Sequence, residues 1–135
     1  LLKLNGENNM GLSYGEIILG NPRFSDIMPM QVRALADTRA IMLCIPTHVA
    51  LQLKLETVET RDVTLADGSE KSIPYVGPIQ VTFKNRTSFG GALVMGDEVL
   101  LGAIQMEDMD LVVFPREQKI DVNPLSPNMA SNQVK

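Results

Sequence analysis

The sequence predicts an all-β domain, a small barrel or sandwich with one or two short helices. Three observations carry this. Apolar runs are short, about five residues at most, and turn signals close them at intervals of roughly eight to twelve residues. Asp67-Gly68 and Asn85-Arg86-Thr87 mark tight reversals between runs with strand composition. Only two stretches carry a helix signal, and both are brief.

In chain order, Ser13 to Gly20 (SYGEIILG) reads as a strand, closed by Asn21-Pro22. A polar loop with Pro29 leads to Met30 to Ala36, where Met30, Val32 and Ala34 alternate with Gln31, Arg33 and Leu35. IMLCI, residues 41–45, is too short for a helix and fits a fully buried strand. Pro46-Thr47-His48 opens a helix that runs to about Leu53, proline suiting a first helical turn. Val58 to Leu65 and Ser72 to Phe83 are strands joined across ADGS, residues 66–69. SFGGALVMG returns as a strand, and Gly96-Asp97-Glu98 turns into VLLGAIQMEDMD, with a second short helix near Ala103 to Met109. DLVVF is a strand ended by Pro115, and KIDVN is a final short one. The expected organisation is a flexible tail over residues 1–9, a folded domain over 10–124, and a flexible polar tail over 125–135.

A chain of 135 residues suffices for one hydrophobic core. With 44% hydrophobic and 21% charged residues, the composition is that of a globular protein. A net charge of −4 and scattered Lys and Arg argue against nucleic acid as partner, because phosphate neutralisation needs clustered cations. No apolar run approaches the roughly 18 residues of a membrane span, and the N-terminal stretch has no secretory h-region. The single cysteine, Cys44, has no partner for an internal disulfide, which points to a reducing compartment, most simply the cytoplasm. Cys44 and His48 stand four apart, but Pro46 intervenes and no second Cys or His exists. No metal site is expected, since zinc takes three or four protein ligands. No phosphate-binding glycine loop suggests a cofactor.

Most catalytic schemes lack parts here: there is no Ser-His-Asp set and no thiol with a base. Carboxylate chemistry remains. Asp37 stands out because its flanks, RALA and AIMLCI, are apolar on both sides, so the carboxylate must be paired, hydrogen-bonded or protonated. On spacing alone, the commoner use of such a residue is to cap its own loop through the backbone and Thr38. Asp67 at Asp-Gly suits ordinary turn chemistry. Glu107, Asp108 and Asp110 lack the ligand spacing of a calcium loop and read as a solvated helix end. Met106 and Met109 read as core filler.

Taken in order, ALADTRA, IMLCIP, the hairpin around Asp67-Gly68-Ser69, and LLGAIQMEDMDLVV resemble the retropepsin-like (clan AA) aspartic proteases, particularly small single-domain prokaryotic members. The resemblance runs from about Tyr14 to Asn128. It implies a small closed acid-protease-type β-barrel and an aspartic endopeptidase without cofactor or metal, acting on extended peptides. Each subunit of such an enzyme supplies one Asp, so a homodimer is implied, with Asp37 facing its symmetry mate across a shared water. Thr38, Arg39 and Ala40 would complete the active-site loop, Thr38 locking the two loops together. Ala66, Asp67, Gly68 and Ser69 would form a flap over the peptide. Leu100, Leu101 and Gly102 would support the loop from behind, the glycine allowing close backbone approach. By analogy, Gly15 to Leu19 and Ile120 to Asn123 would supply dimer contacts.

Arg39 departs from the family pattern, which has glycine there. An arginine adds bulk where backbone meets substrate and a permanent charge that favours ionised carboxylates nearby. Two readings follow: an active peptidase, or a catalytically silent dimeric domain that keeps a peptide-binding or scaffold role.

Overall fold

The computed structural model describes residues 12–132; the expected N-terminal tail, residues 1–9, lies outside them. Among the described residues the elements are β1 (Ser13–Gly20), β2 (Met30–Ala36), β3 (Cys44–Ile45), α1 (Thr47–Gln52), β4 (Glu56–Thr64), β5 (Glu70–Phe83), β6 (Arg86–Val94), β7 (Val99–Leu101), α2 (Ala103–Asp108), β8 (Leu111–Phe114) and β9 (Lys119–Val122). Hydrogen-bonded neighbours run β4-β5-β6-β3-β7-β2-β1-β9-β8. A further pairing of β1 with β5, Leu19 opposite Val81, closes β1, β5, β6, β3, β7 and β2 into a six-stranded mixed barrel. The strands β2–β7 and β3–β6 are parallel pairs; the other pairs within the ring are antiparallel. This is the closed β-barrel with short helices that the resemblance implies.

Alternation decides which side chains go inside. Ile17 and Leu19 of β1, two apart, are fully buried, whereas Glu16 and Ile18 face out. They meet Ala34, Leu43, Ile45, Val81 and Leu101 in one core, to which α1 adds Val49 and its C-terminal neighbour Leu53, and the α2 segment adds Met106 and Met109. A fully buried aliphatic side chain contributes about 1.5–3 kcal/mol. Exposed ion pairs such as Arg23–Glu56, at 2.9 Å, contribute at most about 1 kcal/mol, so burial holds the barrel. Buried Asn21 ties the β1–β2 loop to the end of α1, its Nδ2 donating to the Leu53 carbonyl at 2.9 Å.

Two expectations are corrected. IMLCI is not a strand throughout: only Cys44–Ile45 joins the sheet. The reason lies in the backbone, since the carbonyls of Ala40 and Ile41 accept from Ala103 and Ile104 at the start of α2, both at 2.9 Å. Glu107, Asp108 and Asp110 are not uniformly a solvated helix end. Asp110 is partly buried and accepts from Ser126 Oγ, from the Ser131 N–H at 2.9 Å and from Asn123 Nδ2 at 3.1 Å.

Where a loose tail is expected beyond residue 125, hydrogen bonds extend as far as Asn132. Asn85 Nδ2 donates to the carbonyls of Pro127 and Asn128, buried Arg86 donates to that of Ser126, and Asn132 Nδ2 donates to that of Glu107. The hydroxyl of Ser126, then the backbone of Ser131, hold the Asp110 carboxyl below its ordinary range. Because the folded value is the lower one, this anchorage is complete above the unfolded carboxylate value, about 3.9. It is lost as pH falls through the folded value. Hydrogen exchange over residues 125–132 is therefore expected to accelerate, relative to the core, only under strong acid. Asp110→Ala should produce the same acceleration at neutral pH, and an unchanged profile there would refute the assignment.

Candidate active site

The carboxylate of Asp37 is delivered by β2, whose last residue is Ala36. The Asp37 N–H donates to the Leu101 carbonyl at 3.1 Å, extending the parallel β2–β7 ladder by one bond. The chain then turns: the Ala40 N–H reaches back to the Asp37 carbonyl at 2.9 Å. Behind the turn sits Gly102. A Cβ there would lie 2.8 Å from the Ala40 carbonyl oxygen and 2.7 Å from that of Met42, closer than real Cβ atoms approach. Glycine is thus required by close packing of one backbone on another, at the position where the resemblance expects it.

The Asp37 side chain is only 13% exposed, and Arg39 supplies its partners. Asp37 Oδ1 accepts from the Arg39 N–H at 3.1 Å and from Nε at 3.2 Å, and Oδ2 accepts from Nη2 at 3.5 Å. The carboxylate therefore caps its own loop, as spacing alone suggests, but through Arg39. The expected Thr38 contribution within the subunit is absent: Thr38 is exposed, and no hydrogen bond of its hydroxyl is found among the described residues. Arg39 is 49% exposed and reaches the carboxylate from the solvent side.

Cys44 lies close enough to sense this charge. Its thiol is pushed above the ordinary range, first by burial and second by the Asp37 carboxylate. Cys44 belongs to a second apolar cluster with Ile73 and Leu93, against which Met42, Val63, Tyr75, Met95 and Leu100 pack. This cluster connects the Asp37 loop to the base of the β4–β5 hairpin. The Arg61 guanidinium lies 3.8 Å from the centroid of the Tyr75 ring, and its Nη1 is 4.0 Å from Met42 Sδ. Arg61 and Tyr75 are diagonal neighbours across the β4–β5 ladder, a geometry in which long and aromatic side chains meet. Sequence reasoning misses Met42, Arg61 and Tyr75; the one signal is a cation and an aromatic on two strands joined by a hairpin.

The residues singled out from sequence thus fall into two groups. Asp37, Arg39, Ala40 and Leu101 come together through hydrogen bonds, with Thr38 exposed in the same turn, Gly102 packed behind it and Leu100 in the second cluster. Ala66, Asp67, Gly68 and Ser69 form the hairpin tip apart from that group, with no hydrogen bond to it among the described residues. Gly68 has φ +88°, and Asp67 Oδ1 accepts from Ser69 Oγ at 2.6 Å and from its N–H at 2.9 Å. Those bonds, the hydroxyl first, lower the Asp67 carboxyl from its ordinary value. This is turn chemistry at an exposed tip.

Comparison with known proteins places this architecture. No family model and no curated protein sequence matches the chain. The structure is similar to the retroviral protease-like domain of Ddi1 from Leishmania major, with a TM-score of 0.54 and 8% identity over 83% of this chain and 90% of that one. It also aligns with a retropepsin-like aspartic protease from Rickettsia conorii, at a TM-score of 0.47 and 17% identity over 76% and 87% of the two chains. At such identities the likeness speaks for the fold, and the first alignment carries it. No helix among the described residues is long and apolar enough to cross a membrane. The chain therefore has a retropepsin-like fold.

Proposed function

We propose that this domain is an aspartic endopeptidase of retropepsin type that works as a homodimer on extended peptides. The supporting observation is the Asp37 loop itself: a nearly buried carboxylate at the end of a barrel strand, backed by a glycine on which its carbonyls press. One copy of the chain holds one such carboxylate. Two copies facing each other would hold a water between them, and like charges so close share one proton. The ionised Asp37 takes a proton from the water as its oxygen bonds to the scissile carbonyl carbon. The protonated Asp37 of the second copy donates to the developing oxyanion. Collapse then breaks the carbon–nitrogen bond: the first Asp37 gives the water's proton to the leaving amine, and the second takes a proton back from a hydroxyl of the intermediate, which restores the shared proton. The β4–β5 hairpin is the candidate flap, hinged on the Arg61–Tyr75–Met42 contact. A reducing compartment, the cytoplasm, suits the lone buried thiol.

The contact between Arg39 and Asp37 favours a second reading, a silent domain that binds peptides without cutting them. An ion pair with a half-exposed arginine contributes about 0.2–1 kcal/mol, which substrate contacts can displace. Its charge, repeated in both copies, still opposes the shared proton. Arg39→Gly is therefore expected to raise cleavage of a quenched-fluorescence peptide library at pH 4–6 on the order of tenfold or more. Cleavage by the variant alone selects the silent reading for the parent chain. No cleavage by either, with both sedimenting as dimers, rules out the peptidase.

A further inference from the structure

Strand β1 hands its second edge from one neighbour to another, and the handover leaves a gap. On one side β1 pairs with β2 from Ser13 to Leu19. On the other, β9 takes only Tyr14, and β5 takes only Ile18, Leu19 and Gly20, so Gly15, Glu16 and Ile17 have no register partner on that edge. The Tyr14 N–H donates to the Gln118 carbonyl at 3.2 Å on this side. Backbone groups alternate along a strand, so those of Glu16 face the gap. A cavity of about 500 Å3 opens there, within the usual range for a small-molecule site. Its floor is apolar. Phe83 and Ile120 are buried, and they close up against Gly15, where a Cβ would lie 2.5 Å from Ile120 Cγ1.

The rim is charged, and its charges are not all spent on one another. Glu16 and Arg33 stand directly opposite across the β1–β2 ladder, where opposite charges ordinarily pair. They make no ion pair here. Glu16 Oε1 accepts from Gln31 Nε2 at 3.5 Å instead, and the Arg33 guanidinium stacks on Tyr14, 3.7 Å from the ring centroid. Stacking occupies the face of the guanidinium and leaves its in-plane N–H donors open. No hydrogen bond or ion pair of Arg33 is found among the described residues. Elsewhere on the rim Asp121 gathers two ammonium groups, Lys84 at 2.8 Å and Lys119 at 3.7 Å. The Lys84 bond, first among its partners, holds the Asp121 carboxyl below its ordinary range, so both lysines stay anchored at neutral pH. Three cations thus line the cavity with two carboxylates, on a chain whose net charge is −4.

The geometry points to this gap as a binding site for a small organic anion, a carboxylate or phosphate ester carried on an apolar body. The anionic group takes the open fork of Arg33, whose planar donors match a carboxylate or phosphate with two bonds. Lys84 and Lys119 add attraction, and the body lies against Tyr14, Phe83 and Ile120. Glu16, the one lining carboxylate without a cation among the described residues, opposes the charge. The site is complete in a single copy of the chain and includes no residue of the Asp37 loop or the hairpin tip. It therefore stands whether or not the domain cuts peptides.

Titration of the isotope-labelled chain, followed by amide chemical shifts, tests it with phenylacetate, phenyl phosphate and neutral phenylacetamide. Saturable shifts at Tyr14, Glu16 and Lys119 are expected with one or both anions, and the tighter of the two identifies the preferred head group. Phenylacetamide should bind at least about tenfold more weakly than phenylacetate. Arg33→Gln should weaken the anions by a similar factor, and Arg33→Lys, which keeps the charge without the fork, by less. Glu16→Gln should strengthen them severalfold, so that two residues of one cross-strand pair move affinity in opposite directions. Both positions are exposed, and the variants should keep the parent's unfolding temperature. No saturable shift from either anion at millimolar concentration overturns the site, as does phenylacetamide binding as tightly as phenylacetate. An Arg33→Gln variant that changes the sedimentation coefficient and not the affinity makes the stack a contact between copies, and overturns it too.

Discussion

Asp37→Asn, introduced into the Arg39→Gly background, is expected to lower peptide cleavage by roughly 10²- to 10⁴-fold, the range associated with a positioned acid–base group. The change is nearly isosteric. The amide oxygen can still accept from the residue 39 N–H, as Asp37 Oδ1 does at 3.1 Å, so the loop should keep its shape. What disappears is a group able to alternate between ionised and protonated forms. Unfolding temperature and sedimentation coefficient should therefore match the background while turnover collapses. Peptide binding, followed by fluorescence anisotropy, should persist. A variant that keeps more than about a tenth of the activity would remove Asp37 from the chemistry.

Gly102→Ala is expected to be the most disruptive small substitution near the site. Its Cβ would meet two backbone oxygens, Met42 at 2.7 Å and Ala40 at 2.8 Å, neither of which can rotate away as a side-chain tip could. Overpacking of this kind costs about 1–3 kcal/mol, and the rigidity of both partners argues for the upper end. Movement of either carbonyl also disturbs the bonds from Ala103 to Ala40 and from Ile104 to Ile41 that fix the loop against α2. The midpoint of chemical denaturation should fall, and cleavage in the Arg39→Gly background should fall with it. Gly90→Ala is a useful comparison, since a Cβ there meets nothing within 4 Å. Equal losses at the two positions would sink the close-approach explanation.

How far the chain could be read from its sequence depended on which interactions were local. β1 and β2 are legible to the residue, because their apolar composition and the flanking Gly20-Asn21-Pro22 and Pro29 are local signals. The Asp37 loop and Gly102 are legible as residue types in order. IMLCI misleads because Ile41 is apolar like a strand residue, yet its carbonyl, like that of Ala40 before it, serves α2, about sixty residues away, a bond that periodicity cannot carry. The clasp on residues 126–132 is hidden for the same reason: Arg86 and Asp110 look like ordinary surface charges until the fold brings Ser126 to both. Met42 reads as one more apolar residue, and only the hairpin's return reveals its contact with Arg61.

The ring closes where β1 meets β5, and that seam has a temporal meaning. β1 and β2 can pair early, since only the short segment after Gly20 separates them. The seam joins Leu19 to Val81, about sixty residues along the chain, and the entropy of closing so large a loop must be overcome before the contact gives anything back. Until β5 has been made and has arrived, the apolar side of β1 waits uncovered. The barrel is thus a late-closing structure, and the interval before that closure is when the chain is most exposed to unwanted partners.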